Sequence, residues 1–355
     1  MKLLPSLINL INLCLCIFVS CAVDAYAASG KDIAYEALWE QYKSSFIQDD
    51  GRVIDKRQKD ISHSEGQGYG MLISVGRNDK TAFNKIWRWT KDNIQSRKDN
   101  LFAWAWGKRY DEQWGIIDYN NATDGDVLIA YALLQASQKW QDNGYKTEAL
   151  QIIRSLRIGL SITRENRIFL LPAYYGFNRD NGLVLNPSYM ILPAYIKFAA
   201  VDDKSFWTKV HEDGRFLLEH SVFGILRLPA DWITFSKTGI SLNGEHGSLF
   251  GFEAIRTFLY MSWDKNPIFP EGLGEMFKFY EKLGYIPMSA DLSNNTISVM
   301  DAPAGFYAVY ALAAEKSGSG LSGQLFDKAL KKAAAEKDDY YSLSLVLLAG
   351  LQPES

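Results

Sequence analysis

Beyond residue 21 the sequence contains no cysteine; its three cysteines are Cys14, Cys16 and Cys21. Everything downstream is therefore without a disulfide framework, a thiol nucleophile or a thiolate metal site. Histidine is scarce as well. His63, His211, His220 and His246 form no HExxH pattern or other metal-ligand spacing, so no metal and no other cofactor is expected. Charge of one sign is missing too. The 38 Lys and Arg residues stand against 41 Asp and Glu, a net charge of −3, and this gives no electrostatic footprint for a nucleic-acid partner. No low-complexity linker and no fixed-period repeat interrupts residues 28–355, which argues for one domain and against a solenoid.

The chain opens with a targeting pattern. Lys2 precedes an apolar run from Leu7 to Val19, and Ala25-Tyr26-Ala27 fits the small-x-small cleavage rule. Residues 1–27 are expected to be a signal peptide cut before Ala28, leaving 28–355 as the mature domain. The run is too short for a membrane span, so no stable span is expected after cleavage. Cys21 leaves a lipoprotein site as the alternative. A mature chain without thiols suits an oxidising compartment, and a periplasmic or secreted location is expected.

Apolar residues are plentiful, at 47% of the chain, enough for a substantial core. Apolar spacing predicts about twelve helices, and hence an all-α fold. Val127, Ala130, Tyr131 and Leu134 make the i, i+3, i+4, i+7 stripe. Predicted helices include 65–77, 124–140, 145–163, 187–201 and 252–263. Thr123 is expected to cap the helix at Asp124, with Asp126 as its capping-box acid. Asn186-Pro187 and Pro303 open two more. Between helices, residues 166–185 are expected to hold a hairpin of 168–171 and 174–177. So many helices in one domain suit helical hairpins arranged in a ring, an (α/α)6 toroid.

Three acids sit in unusual settings. Glu65 lies in Ser64-Glu65-Gly66-Gln67-Gly68-Tyr69-Gly70, poor helix material except at a helix start, where the dipole favours negative charge. Asp124 lies in Thr123-Asp124-Gly125-Asp126, which lacks the spacing of a calcium loop; helix capping is the plainer reading, above all for Asp126. Glu253 lies in Phe252-Glu253-Ala254-Ile255-Arg256. Its aromatic flank predicts desolvation, which disfavours the charged form, while Arg256 falls on the same helical face and could make a simple ion pair. Each acid taken alone is open between structure and chemistry.

Together these segments resemble glycoside hydrolase family 8. The run Ala122-Thr123-Asp124-Gly125-Asp126 through Ile129-Ala130, Leu133-Leu134, Ala136 and Trp140 is similar to that family's signature. Ser64 to Met71 is similar to its acid-bearing segment. Trp104-Ala105-Trp106, Asn186-Pro187-Ser188-Tyr189, Leu228-Pro229-Ala230-Asp231-Trp232, Glu253-Ala254-Ile255-Arg256 and Asp339-Tyr340-Tyr341-Ser342 follow in family order. They span nearly the whole mature chain. Within the family the chain resembles the endoglucanases encoded with bacterial cellulose synthase.

The resemblance implies an (α/α)6 barrel with an open substrate cleft. It implies an inverting endo-β-1,4-glucanase that hydrolyses internal bonds of cellulose or β-glucan. Its expected partners are β-1,4-glucan chains and the cellulose synthase machinery. Glu65 matches the general acid and Asp124 the acid of the −1 subsite, while Tyr189 and Arg256 match residues that hold the attacking water and the base. Trp104 and Trp106 match positions near the cleft. Trp114 and Trp232 are further candidate walls for substrate binding, since sugar faces stack on indole rings. Inversion needs two carboxyl groups roughly 6.5–9.5 Å apart, with room for a water.

One position departs from the family. Most cellulase-type members carry Asp at the base position, and this chain carries Glu253, whose stem is one methylene longer. Glu245, in Asn243-Gly244-Glu245-His246-Gly247, is the rival base, because another branch of the family takes its base from that loop. Glu253 is preferred because it still ionises. Action on xylan, mixed-linkage glucan or chitosan, and a weakly active glucan-binding accessory protein, are the alternative functions.

Overall fold

The computed structural model describes residues 30–351, and these contain twelve α-helices. The expected signal peptide, with Cys21, lies outside the described residues, as do both ends of the expected 28–355 domain. Contacts divide the chain after Gln41. The described part of the first unit, residues 30–41, is helical; the rest of the description concerns the unit that begins at Tyr42. No helix among the described residues is long and apolar enough to cross a membrane.

The helices are α1 (residues 30–46), α2 (Ser64–Gly76), α3 (Lys80–Ile94), α4 (Thr123–Trp140), α5 (Asn143–Ser155) and α6 (Leu192–Ala199). They continue with α7 (Lys204–His220), α8 (Ile255–Ser262), α9 (Gly272–Leu283), α10 (Ala304–Ser317), α11 (Ser322–Ala335) and α12 (Tyr340–Ala349). The even-numbered helices form a closed ring. Each packs on the next, from α2 through α4, α6, α8 and α10 to α12, and α12 returns to α2. Helices α3, α5, α7 and α11 back their even-numbered partners from outside. This is the (α/α)6 barrel.

The sequence distinguishes the two rings. An inner helix is covered on all sides and reads apolar all round. Thr123–Leu134 of α4 and Ala304–Ala314 of α10 are buried without a break. An outer helix is covered on one face. In α11 the buried residues are Leu325, Phe326, Ala329 and Ala333, a single stripe. Fully burying each large aliphatic side chain of the inner ring contributes about 1.5–3 kcal/mol.

Two glycines allow the close approach of α2 and α4. A Cβ on Gly68 of α2 would stand 2.8 Å from Leu128 Cβ, and one on Gly125 of α4 would stand 2.7 Å from the backbone nitrogen of Glu65. Without side chains at these points, the first turns of α2 and α4 meet.

Short strands cover the helix ends. A three-stranded antiparallel sheet is made of β1 (Ser62–His63), β2 (Ala105–Lys108) and β3 (Trp114–Asp118), in that order. A four-stranded sheet joins β4 (Asn178–Arg179), β5 (Gly182–Leu185), β6 (Ile233–Ser236) and β7 (Gly239–Leu242), with Leu185 paired to Ile233.

Some elements differ from the sequence expectation. The helix expected over 145–163 ends at Ser155, followed by one π turn, Leu156–Leu160. Residues 161–164 are instead a strand that pairs with Arg167–Leu170 through Glu165 and Asn166, which both adopt positive φ (49° and 59°). So 168–171 lies close to a true strand, but its partner precedes it, and 174–177 is no strand. Two consecutive left-handed residues are what a two-residue hairpin turn requires, yet Glu-Asn is not the Asn-Gly that announces one. The helix expected over 187–201 is split into a 3-10 turn, Pro187–Tyr189, and α6, with Pro193 in the first turn of α6 setting a second start. The helix expected over 252–263 begins only at Ile255, after a turn.

Candidate active site

Each of two inner helices grows directly out of the three-stranded sheet. Strand β1 ends at His63 and α2 starts at Ser64; β3 leads through residues 119–122 into α4. The backbone N–H of Ser64 donates to Trp104 O (3.0 Å), and Trp104 N–H donates to Asn120 O (2.6 Å). Both helices therefore present their first turns to one place, with Glu65 in the first turn of α2 and Asp124 in the first turn of α4.

Between them lies the guanidinium of Arg256, from the first turn of α8, with only 3% of its side chain exposed. Its Nη1 donates to Asp124 Oδ2 (2.8 Å) and to the Tyr69 hydroxyl (2.9 Å), and its Nη2 to Glu253 Oε2. Asp124 Oδ1 accepts from the Gly125 N–H (2.9 Å). A second donor, Asn186 Nδ2, reaches Glu253 Oε2 at 2.9 Å. Tyr189 places its ring 5.7 Å from the guanidinium carbon.

The proton distribution follows from these pairings. Burial raises Glu65 to about 7 against the pull of Arg256, with the Glu253 charge adding to the rise. Burial and the Glu65 charge raise Asp124 as well. The two acids share the field of one cation, but only Asp124 is hydrogen-bonded to it. A carboxylate that accepts charged hydrogen bonds keeps its ionised form, so the pair's proton resides on Glu65. Burial, with the charges of Asp124, Glu253 and Glu65 adding to it, holds Tyr189 far above the usual phenol range, so Tyr189 is a neutral hydroxyl facing all three acids.

Thr123 and Asp126 do other work than expected. Helix α4 starts at Thr123 with Ala122 as an uncapped N-cap. The Thr123 hydroxyl donates to Leu171 O (2.6 Å). Asp126 is fully buried, accepting from Phe102 N–H (3.0 Å) and Asn121 Nδ2 (2.8 Å). It ties the strap before Trp104 to α4 in place of forming a capping box.

Glu253 is only partly covered. Its side chain is 39% exposed, because neighbouring Phe252 turns away to pack on Phe306 and Tyr341. Glu245 stands apart from this cluster. Its side chain is 67% exposed and forms an ion pair with Arg179, which holds its carboxyl below the usual range.

Two groups of aromatic rings lie near the acids. In the first, Trp104, whose carbonyl accepts the Ser64 N–H next to Glu65, packs on His63. Beyond it Trp106 and Trp114 stack at 5.3 Å and 18°, with the Arg52 guanidinium 4.5 Å from each ring. In the second, Trp232 lies 6.1 Å from Tyr189 and clusters with Phe177 (5.6 Å, 16°) and His246 (4.7 Å, 27°), which also contact each other (6.4 Å, 15°). Sequence reasoning gives no role to Tyr69, the Asn186 amide, Phe177, His246 or Tyr341. Tyr69 and Tyr341 fall inside the family-like motifs, which is the signal that could find them. Phe177 and His246 carry no local signal, since their contact joins two separate loops.

The model for glycosyl hydrolases family 8 matches residues 11–354. An endoglucanase of Cellulomonas uda is 41% identical over 229 residues, covering 64% of this chain and 63% of that relative, a little under two thirds of its length. A probable endoglucanase of Novacetimonas hansenii is 32% identical over 328 residues, covering 91% of this chain and 92% of that relative. Among solved structures, the endo-β-1,4-glucanase CMCax from Acetobacter xylinum aligns with a TM-score of 0.79 at 30% identity, over 89% of this chain and 97% of that one.

Proposed function

The chain belongs to glycosyl hydrolase family 8 and is an endo-β-1,4-glucanase of that family, and from this premise we propose that Glu65 and Glu253 cleave the glucan in a single displacement by water. Glu65 donates its proton to the glycosidic oxygen as the C–O bond breaks. Glu253 takes a proton from a water that attacks the opposite face of the sugar, and the anomeric carbon inverts. Asp124, ionised by its bond to Arg256, meets the positive charge that develops on the ring in the −1 subsite. Tyr189 and Arg256 orient the water and the base. The stacked Trp106 and Trp114 of one group, and Trp232 of the other, give apolar faces for successive glucose units. After each turnover Glu65 is ionised and Glu253 protonated, and exchange with solvent restores both.

The observation that carries this reading is the unequal pairing of three acids around Arg256. Asp124 and Glu253 are bonded to the guanidinium, and Glu65 is not. The N-terminal targeting pattern in the sequence and the family resemblance together support a periplasmic or secreted enzyme that trims β-1,4-glucan during cellulose export. Glu245 stands apart from the three acids, in an exposed ion pair with Arg179, and adds no acid to the cluster around Arg256. Turnover of the purified protein on soluble cellulose, xylan, lichenan and chitosan tests the substrate. Soluble cellulose is expected to be cleaved fastest, with internal cuts that drop viscosity early. A higher rate on xylan or chitosan contradicts the assignment.

A further inference from the structure

Glu253 sits in the turn 251–254 before α8. Its side chain is half-exposed and held only at Oε2, by Asn186 and Arg256. A long, flexible side chain held at its tip puts the carboxylate in one place only if the backbone beneath it is also fixed.

The backbone is fixed by a carboxylate to which the mechanism gives no part. Asp231 Oδ1 accepts both the Gly251 N–H (3.0 Å) and the Ala254 N–H (2.7 Å), one on each side of Glu253. Asp231's own N–H donates to Leu249 O (2.7 Å). The approach is close: a Cβ on Gly251 would stand 2.9 Å from Asp231 Oδ2. The four-stranded sheet supports both grips on Glu253. Leu185 at the end of β5 pairs with Ile233 at the start of β6, so Asn186, which holds the carboxylate, and Asp231, which holds the backbone, lie at the same end of the sheet.

We propose that Asp231 is a positioning residue for Glu253, setting how far the backbone of the base stands from the reacting carbon. The inference rests on Glu253 being the base. Misplacement by about 1 Å costs on the order of 10²-fold in rate, so the effect falls on turnover and not on glucan binding.

The test compares Asp231→Ala, Asp231→Asn and Glu253→Gln on a soluble cello-oligosaccharide, with kcat and KM measured separately. Asp231→Ala leaves two N–H groups without an acceptor and frees the turn; kcat is expected to fall on the order of 10²-fold, with KM within about threefold. In Asp231→Asn the side-chain amide oxygen still accepts both N–H groups, so this variant is expected to keep kcat within about threefold of the parent. Equal losses in the two Asp231 variants, a loss confined to KM, or an unchanged kcat in Asp231→Ala each overturns the inference. Glu253→Gln separates the two failures. If it is inactive while Asp231→Ala turns over normally, only the positioning role is lost. If it is fully active, the base assignment is lost first.

Discussion

Glu65→Gln is expected to lower turnover on soluble cellulose by on the order of 10³-fold or more while glucan binding and fold are retained. General acid catalysis contributes about 10²–10⁴-fold, and glutamine has the shape of the protonated acid without its proton. The exchange opens no cavity and unpairs no ion, since Glu65 is the one acid of the three without a bond to Arg256. The pH dependence carries the same signature. An acid catalyst must hold its proton, and burial has raised Glu65 to about 7. Parent activity is therefore expected to fall as pH rises through about 7, and the residual activity of Glu65→Gln should lack that limb. Unchanged turnover in the variant contradicts the assignment.

The second large effect concerns the base. Glu253→Gln is expected to cost on the order of 10³-fold in kcat, and Glu245→Gln to leave kcat within about twofold. The geometry separates the two. Glu253 is bonded to the same guanidinium as Asp124, and exposed Glu245 is paired with half-buried Arg179. An exposed ion pair contributes little, so its loss is expected to leave stability nearly unchanged. The opposite pattern, an active Glu253→Gln and an inactive Glu245→Gln, moves the base to the loop of residues 243–247.

How much of this is legible in the sequence depends on the range of the interaction. The helices are visible in the apolar period, because burial of a helix face or of a whole inner helix is written into every turn of sequence. Their ends are less visible where two-residue turns decide them. Glu165-Asn166 bends the chain without glycine, and Pro193 restarts a helix that a single period runs through. The acids Glu65 and Asp124 are legible as first-turn residues. That they meet depends on Gly68 and Gly125, whose absent side chains let α2 and α4 touch, a contact between distant segments that no local pattern announces. What holds Glu253 is hidden for the same reason. Aromatic neighbours in sequence suggest cover, but Phe252 packs elsewhere, and the groups that hold Glu253 come from residues 186, 231 and 256. Thr123 and Asp126 have the composition of a capping box, and distant partners at Leu171 and Phe102 take them over.

Direct displacement by water, with Glu65 as acid, predicts the configuration of the new reducing end. Hydrolysis of a soluble cello-oligosaccharide followed by proton NMR, at enzyme levels that outrun mutarotation, measures it directly. The α-anomer is expected to appear first and to convert to the equilibrium mixture afterwards. Appearance of the β-anomer first would mean two displacements through a covalent intermediate, and would contradict the roles given to Glu65 and Glu253.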